Sequence, residues 1–481
     1  MKSSPPEHSL AALQARHGEH YRWRVLVTVM IGTMASIMAS TIVNVAVPDM
    51  SRQFTLGQER AQWLSAGFMA AMTMSMLTTP WLLDRFGYRR SYAGAVLLLM
   101  AGGISGGFSR TFEWVLAMRV AEGLAAGVLQ PIPAIIILRA FGPTEQGKAM
   151  GVFGMGVVLA PALGPSIGGV LVEAFGWRSI FFVVTPFCVA ALALSRRYLP
   201  HSAPGGGPVN EHGRRLDVAG LALLTVAVLG TLNGLVQLHD RTPTPALALL
   251  GVAAGAIAAF IVRQRRLAAR GANPLMQLSL FTHRQFAMGG WVAFIYGMAL
   301  FGSTYLVPVF MQIALKLPPS QAGAVLLPAG LVLALTIPVA GRLADRLPVS
   351  RLVVTGVLLL ALSFWLMVTV GLATSLWLIT LWAIVGRVGL GFVLPSLNLG
   401  AMRGLPQALI SQGSSTVNFL RQLGGAVGVN LVGIVLEWRL QVHAGAPLQA
   451  FHETFALLGV ITVCATLAAW RMAPAEPAPT G

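Results

Sequence analysis

Charged residues are scarce in this chain. Only 10% of its 481 residues are Asp, Glu, Lys or Arg, whereas 56% are hydrophobic and the mean hydropathy is +0.73. Soluble globular proteins carry about 25% charged residues, so the shortage excludes a soluble domain and predicts an all-α polytopic membrane protein. Cysteine is also rare: Cys188 and Cys464 both fall in apolar segments, which favours packed thiols over a disulfide or a metal site.

Signatures of catalysis are missing as well. The sequence has no Gly-x-x-x-x-Gly-Lys-Ser/Thr loop for ATP, no catalytic triad and no histidine deep in an apolar run. We therefore expect neither an enzyme nor an ATP-driven pump, with no catalytic residue, no bound metal and no cofactor.

Fourteen apolar segments are long enough to cross a bilayer. The first begins near Val25 and is too long for the apolar part of a signal peptide, so we expect it to be a retained span. The predicted spans are 25–47, 61–83, 91–108, 114–138, 149–173, 179–199, 217–238, 245–264, 286–310, 321–343, 352–371, 376–400, 410–436 and 453–471.

The basic residues are distributed unevenly about these spans. With the N-terminus inside, 23 of the 33 Lys and Arg residues lie on the cytoplasmic side and seven on the opposite side. This bias predicts a multi-pass protein of the bacterial cytoplasmic (inner) membrane with both termini cytoplasmic. The net charge of +17 then faces the lipid bilayer's anionic headgroups rather than nucleic acid.

The chain also repeats itself. The segment Pro80–Arg90 after the second span resembles Pro338–Arg346 after the tenth, and Arg119 in the fourth span has a counterpart, Arg387, in the twelfth. Such repeats predict two six-helix bundles with the seventh and eighth spans inserted between them. The predicted parts are a tail at 1–24, bundles at 25–199 and 285–471, a linker with two extra helices at 200–284, and a tail at 472–481.

The fifth span carries a stripe of small residues at every fourth position, which allows close approach of another backbone. Pro161 and Pro165 each remove a backbone donor from the same helix and are expected to bend it. We interpret the stripe as a moving contact between the two bundles. Its members are Gly156, Ala160, Gly164 and Gly168.

Taken in order, these motifs resemble the major facilitator superfamily, specifically its fourteen-helix drug:proton antiporter family of the EmrB/QacA type. The resemblance covers nearly the whole chain. It implies the major facilitator fold and proton-coupled multidrug efflux by alternating access, with the proton gradient as energy source and antibiotic resistance as an outcome. The motifs that carry it are Thr41–Pro48, Asp84–Arg90, Arg119–Gly123, Gly154–Gly169, Trp177–Phe182 and Asn418–Gly425.

The resemblance also assigns roles to two groups of residues. The antiporter motif comprises Gly156, Ala160, Pro161, Gly164, Pro165, Gly168 and Gly169. The loop motif and its repeat are expected to form a cytoplasmic gate, although ordinary solvated loop charges are the alternative; its residues are Asp84, Arg85, Gly87, Arg89, Asp345 and Arg346.

Two positions depart from the family pattern. Ala39 stands where the first helix usually has an acid, and Glu122 stands where the arginine motif usually has Gln. Glu122 is the one acid well inside a predicted span, where a carboxylate is costly and usually functional. We hypothesise that Glu122 and Arg119, one helical turn apart, couple transport to protons. The alternative is a static ion pair that clamps the helix to a neighbour.

Two further cations, Arg387 and Arg421, lie deep in spans without an acid in the same helix. We expect them to bind backbone carbonyls or polar groups such as Gln422 and Asn418, and a role in binding a substrate anion is the alternative.

The substrate is expected to be a lipophilic drug or toxin, because a greasy cavity with scattered polar groups suits such compounds. Export of an endogenous lipid, siderophore or metabolite, a membrane subunit of a tripartite assembly with a periplasmic adaptor protein, and a non-transporting sensor are the alternatives. Candidate cavity residues, for which plain packing is the competing interpretation, are Asn44, Phe68, Gln130, Tyr296, Tyr305, Gln312 and Asn418.

Overall fold

The structure, a computed structural model, describes residues 10–56, 58–202, 215–237, 244–443 and 445–472. Within these ranges the regular elements are helices, with no strand. The α-helices are α1 (Leu10–His17), α2 (Tyr21–Gln53), α3 (Gln58–Ser75), α4 (Thr79–Gly107), α5 (Phe112–Leu129), α6 (Ile132–Ala140), α7 (Gln146–Phe175), α8 (Ser179–Tyr198), α9 (Val218–Gln237), α10 (Thr244–Ala269), α11 (Arg284–Ile313), α12 (Pro319–Ala344), α13 (Val349–Val368), α14 (Leu376–Met402), α15 (Ile410–Val442) and α16 (Pro447–Trp470).

The all-helical membrane architecture is confirmed, but the count of fourteen spans is not. In the described part of the chain, eleven helices are long and apolar enough to cross a membrane. Two predicted spans are interrupted: a 3-10 turn at Met76–Thr78 separates α3 from α4, and a short break separates α5 from α6. The chain therefore has between about eleven and fourteen membrane spans.

Helix α4 includes the predicted cytoplasmic loop, which hydropathy alone assigned to irregular backbone. The helix is broken at Gly87, whose φ of 77° and ψ of 169° lie in a region that essentially only glycine adopts. The segments on either side, 79–86 and 88–107, remain helical. A turn that favours glycine thus replaces a longer loop.

The chain forms two compact units. The first comprises 1–217 with 271–276 and 410–415, and the second comprises 218–270, 277–409 and 416–481. Helices α9 and α10, predicted as an inserted pair, therefore belong to the second unit. The predicted linker residues 203–214 and tail residues 473–481 lie outside the described residues.

Helix α2 begins at Tyr21, four residues before the start of the predicted span near Val25. The Tyr21 side chain is buried, and its hydroxyl donates a hydrogen bond to the Tyr198 carbonyl at 2.9 Å. This contact ties the start of α2 to the end of α8 and extends the helix beyond the apolar run.

Close packing of α5 against α3 fixes the centre of the first unit. A Cβ atom on Gly123 would lie 2.3 Å from the Phe68 carbonyl oxygen, and one on Gly127 would lie 2.1 Å from that of Met72. Both positions therefore require glycine for this approach. At the start of α5, the Thr111 hydroxyl accepts a hydrogen bond from the Trp114 amide.

Candidate functional site

A buried ion pair lies at the centre of the first unit. Arg119 and Glu122 are one turn apart on α5, and Arg119 Nη1 donates to Glu122 Oε2 at 2.7 Å. Their side chains are only 1% and 2% exposed. Sequence reasoning predicted this pair, and the structure brings its two charges together; its role in proton coupling stays a prediction.

Arg119 also holds three helices together. Nη1 donates to the Ala39 carbonyl of α2 at 3.0 Å, and Nε donates to the Leu64 carbonyl of α3 at 3.2 Å. The guanidinium carbon lies 4.3 Å from the centre of the Phe68 ring, a cation–π contact. The remaining nitrogen, Nη2, is buried without a hydrogen-bond partner among the described residues. The guanidinium is therefore fixed by several contacts besides Glu122.

Glu122 is enclosed on the α4 side by glycines. A Cβ atom on Gly102 would lie 2.8 Å from Glu122 Cγ, and one on Gly103 would lie 3.2 Å from Glu122 Oε1. Sequence reasoning missed both residues, although a Gly-Gly pair in the predicted third span was an available signal. These glycines leave the space that the carboxylate occupies.

Ala39, where the resemblance implies an acid, lies at this same site. Its carbonyl oxygen and the Glu122 carboxylate both accept hydrogen bonds from Nη1 of Arg119. The two departures from the family pattern therefore meet at one guanidinium. This proximity was not predictable from the spacing of residues 39 and 122.

The loop motif is attached to the segment that follows α8. The Tyr88 amide donates to the His201 carbonyl at 2.9 Å, and Arg89 Nε donates to the Leu199 carbonyl at 2.7 Å. A Cβ atom on Gly87 would lie 2.4 Å from the His201 carbonyl oxygen. Sequence reasoning missed Leu199 and His201, because both residues accept these hydrogen bonds through their backbone carbonyl oxygens.

The charged residues proposed for the gate lie at the ends of helices. Asp84 and Arg85 are exposed in the first part of α4. Asp345 is the C-terminal residue capping α12, and Arg346 follows it with an exposed side chain. Their gating role stays a prediction.

The small-residue stripe of α7 contacts α2 within the first unit, and its role as a moving contact between the bundles stays a prediction. Cβ atoms on Gly156, Gly164 and Gly168 would meet atoms of α2: Met30 Sδ at 2.9 Å, Thr41 Oγ1 at 2.6 Å and an Ile42 side-chain carbon at 2.6 Å, respectively. Ala160, between them, is buried. Helix α7 also continues through positions 161 and 165. Within the first unit, the stripe therefore serves close packing of two neighbouring helices.

The predicted cavity residues of the first unit occupy different environments. Phe68 is fully buried against Arg119, so in this structure it contacts the ion pair. Asn44 is exposed, and its Oδ1 accepts a hydrogen bond from Ser65 Oγ at 2.7 Å. Gln130 follows the last residue of α5 and caps the helix.

The predicted cavity residues of the second unit divide into buried and exposed pairs. Tyr296 is buried and donates to the Leu390 carbonyl at 3.3 Å, and Asn418 Oδ1 accepts from Arg421 Nη2 at 2.8 Å. Tyr305 is 41% exposed and Gln312 is exposed. The structure does not gather the four residues into one described cavity, and their contact with substrate stays a prediction.

A metal centre has no candidate among the described residues, since no three His, Cys, Asp or Glu side chains are grouped closely enough to hold an ion. The chemistry available at the buried site is therefore that of one carboxylate, one guanidinium and the carbonyls around them.

Comparison with known proteins identifies the family. Residues 29–429 match the model of the Major Facilitator Superfamily. The chain is 30% identical over 427 residues to a multidrug resistance protein B homolog of Mycobacterium tuberculosis, covering 86% of this chain and 77% of the relative. It is 26% identical over 445 residues to the lincomycin resistance protein LmrB of Listeria innocua, covering 92% and 91%.

The fold agrees with a solved member of that superfamily. The proton:xylose symporter XylE superposes with a TM-score of 0.67 at 14% identity, over 94% of this chain and 96% of the symporter. The family match and the helical structure together define a multi-pass membrane transporter whose relatives include multidrug resistance proteins at about 25–30% identity. The chain belongs to the Major Facilitator Superfamily.

Proposed function

We propose that this transporter is a proton-coupled multidrug exporter of the fourteen-helix drug:proton antiporter type, and that it expels lipophilic or cationic compounds by alternating access. The buried Arg119–Glu122 pair carries the proposal. The resistance proteins among its relatives support the direction and the cargo class. Glu122 is the one acid among the side chains that the structure describes as buried within the first unit's membrane helices.

Protonation of Glu122 would weaken its ion pair with Arg119, whose guanidinium also contacts α2 and α3. The ionised carboxylate holds Nη1 of Arg119 at 2.7 Å, in a site almost without solvent, where a charge-assisted bond is strong. Once Glu122 is neutral, that bond weakens, while the bonds from Arg119 to Ala39 and Leu64 persist. Helix α5 thus stays attached to α2 and α3 through Arg119. The contact between Arg119 and the Glu122 side chain, which lies next to α4, becomes weaker.

This change gives a coupling cycle. A proton from outside neutralises Glu122 and favours release of substrate outward; its loss to the cytoplasm restores the ion pair and resets the transporter. Arg119 does not release a proton itself, because a guanidinium stays charged in proteins. Its part is to set the affinity of Glu122 for the proton and to hold the helices around it.

The experiment compares Glu122→Gln with Glu113→Gln in everted membrane vesicles that are acidic inside and take up ethidium from the surrounding buffer. Both variants make the same chemical change on α5, but the Glu113 side chain is 72% exposed near the start of the helix. Under an imposed pH gradient we expect Glu122→Gln to lose at least about tenfold in transport rate and Glu113→Gln to keep the wild-type rate.

Two further measurements separate coupling from damage. Purified Glu122→Gln is expected to bind ethidium normally and to exchange it down a concentration gradient without a pH gradient. Transport by Glu122→Gln at the full rate would remove Glu122 from the mechanism. Loss of binding and exchange together would instead assign the pair a structural role.

A further inference from the structure

Helix α10 has one buried face and one exposed face. The buried face lies against α9, where a Cβ atom on Gly230 would lie 3.2 Å from the Cβ atom of Ala253. On the other side of the helix the apolar side chains of Ile257, Ile261 and Val262 are exposed. Because α10 is long and apolar enough to cross a membrane, this exposed face is suited to contact with lipid acyl chains. The buried residues of α10 are Ala246, Ala253, Ala256, Phe260 and Gln264.

The same helix ends in a cluster of exposed arginines. Arg265 follows Ile261 by four residues, and its side chain is exposed. Arg266 follows Val262 at the same spacing and is also exposed, so each arginine lies one helical turn beyond an exposed apolar side chain on the same side of α10. The exposed Arg270 comes one turn later, and its amide donates to the Arg266 carbonyl at 3.2 Å. A positively charged surface therefore adjoins the apolar one.

These arginines lack a counter-charge of their own. The sequence has no Asp or Glu from residue 241 to residue 344. In the described part of the chain, Arg265, Arg266 and Arg270 make no ion pair and no side-chain hydrogen bond. The start of α2 differs, because Arg22 Nη1 lies there 2.7 Å from Glu145 Oε2. The end of α10 thus presents its positive charge to whatever surrounds the protein.

We propose that this end of α10 is a binding site for an anionic phospholipid. The headgroup phosphate is held by Arg265 and Arg266, and Arg270 adds a third positive charge one turn further along. An acyl chain lies along Ile261 and Val262. A guanidinium forms two parallel hydrogen bonds with a phosphate group, and clustered basic residues at the end of a membrane helix attract anionic lipids.

The alignment of charge and apolar surface distinguishes a phospholipid from free phosphate. Inorganic phosphate would meet the arginines but not the apolar side chains one turn away, whereas a phospholipid contacts both. A zwitterionic lipid would contact the apolar side chains, but its own positive charge would oppose the arginines. The site binds an anionic lipid whether or not the protein exports drugs.

The test measures which lipid lies beside α10 in the full-length protein, reconstituted in phosphatidylcholine vesicles. A bimane label is attached at Ala258→Cys, an exposed position of α10, in a Cys464→Ser background; Cys188 is buried and stays unlabelled. A minor fraction of spin-labelled phosphatidylglycerol, or of phosphatidylcholine with the same acyl chains, quenches the label. We expect a preference for phosphatidylglycerol of at least about fivefold, which is the factor that one arginine near an anionic surface contributes.

Two double variants that lose the same charge locate the site. Arg265→Gln with Arg266→Gln should lose most of the preference. Arg196→Gln with Arg351→Gln, which removes exposed arginines from two other helices, should keep it. Arg265→Lys with Arg266→Lys retains both charges and should also keep the preference.

Three outcomes would overturn the proposal. Equal quenching by the two lipids with all arginines in place would show that α10 does not select an anionic headgroup. An equal loss of preference in the two glutamine variants would ascribe it to the net charge of the protein. Removal of the preference by millimolar inorganic phosphate at constant ionic strength would assign the arginines to free phosphate instead.

Discussion

Removal of the Glu122 carboxylate should destabilise the first unit strongly. In Glu122→Ala the guanidinium of Arg119, 1% exposed, loses its counter-charge and stays buried. Breaking a buried ion pair by removing one partner costs about 3–5 kcal/mol. Glu122→Gln keeps an oxygen that accepts from Nη1, so its cost is nearer the value of one charge-assisted hydrogen bond, about 1.5–3 kcal/mol.

Replacing both Arg119 and Glu122 should avoid the loss of stability expected for Glu122→Ala. An apolar pair of similar volume, Arg119→Met with Glu122→Leu, removes both buried charges at once, and such replacements are often neutral or stabilising. We therefore expect the double variant to be more stable than Glu122→Ala. The difference between the double variant and the sum of the single ones measures the coupling between the charges.

The assay uses a thiol-reactive dye in detergent. Cys188 lies fully buried in α8 of the first unit, whereas Cys464 is exposed, so a Cys464→Ser background makes the dye report the unit that holds the ion pair. In a domain of this size each kcal/mol lowers the unfolding temperature by about 2–4 °C. A fall of less than about 2 °C for Glu122→Ala would refute the reasoning, because it would show that Arg119 does not depend on Glu122.

Two other predictions concern the same unit. Gly87→Ala should cost about 1–3 kcal/mol, because alanine is strained at this φ and ψ and its Cβ would meet the His201 carbonyl; faster hydrogen exchange of the Tyr88 amide, against unchanged exchange in α5, would register the lost contact. Ala39→Asp in the Glu122→Gln background should restore proton-driven ethidium efflux, because position 39 contacts Arg119. A double variant that folds and binds ethidium but stays inactive would contradict this exchange of the acid between helices.

Local patterns predicted the fold because they reflect local physics. Apolar runs of spanning length marked most helices, and the i to i+3 spacing placed Arg119 beside Glu122 on α5. Hydropathy failed at backbone breaks, since the 3-10 turn at Met76–Thr78 and the turn at Gly87 leave the apolar content almost unchanged. The number of spans depends on such breaks and was therefore less predictable than the helices themselves.

The partners of each site residue depended on tertiary packing. Glycine spacing predicted that α7 approaches another helix closely, and the structure supplies α2 as that helix. Composition gave no sign that Phe68 packs on Arg119 or that Leu199 offers its carbonyl to Arg89. Backbone acceptors are available at every residue, so sequence does not distinguish those that are used.

The two arginines of the repeat show how the halves differ in chemistry while keeping one packing plan. Gly123 and Gly391 follow their arginines at the same spacing, and each allows close contact with a neighbouring helix, with Phe68 on α3 in one case and Thr336 on α12 in the other. The residue three positions after each arginine differs. In the first unit it is Glu122, which supplies a counter-charge to Arg119, and in the second it is Leu390. A cation as deeply buried as Arg119 requires a compensating charge. In the first unit the compensating carboxylate belongs to the chain itself, one helical turn from Arg119, whereas the equivalent position on α14 is apolar.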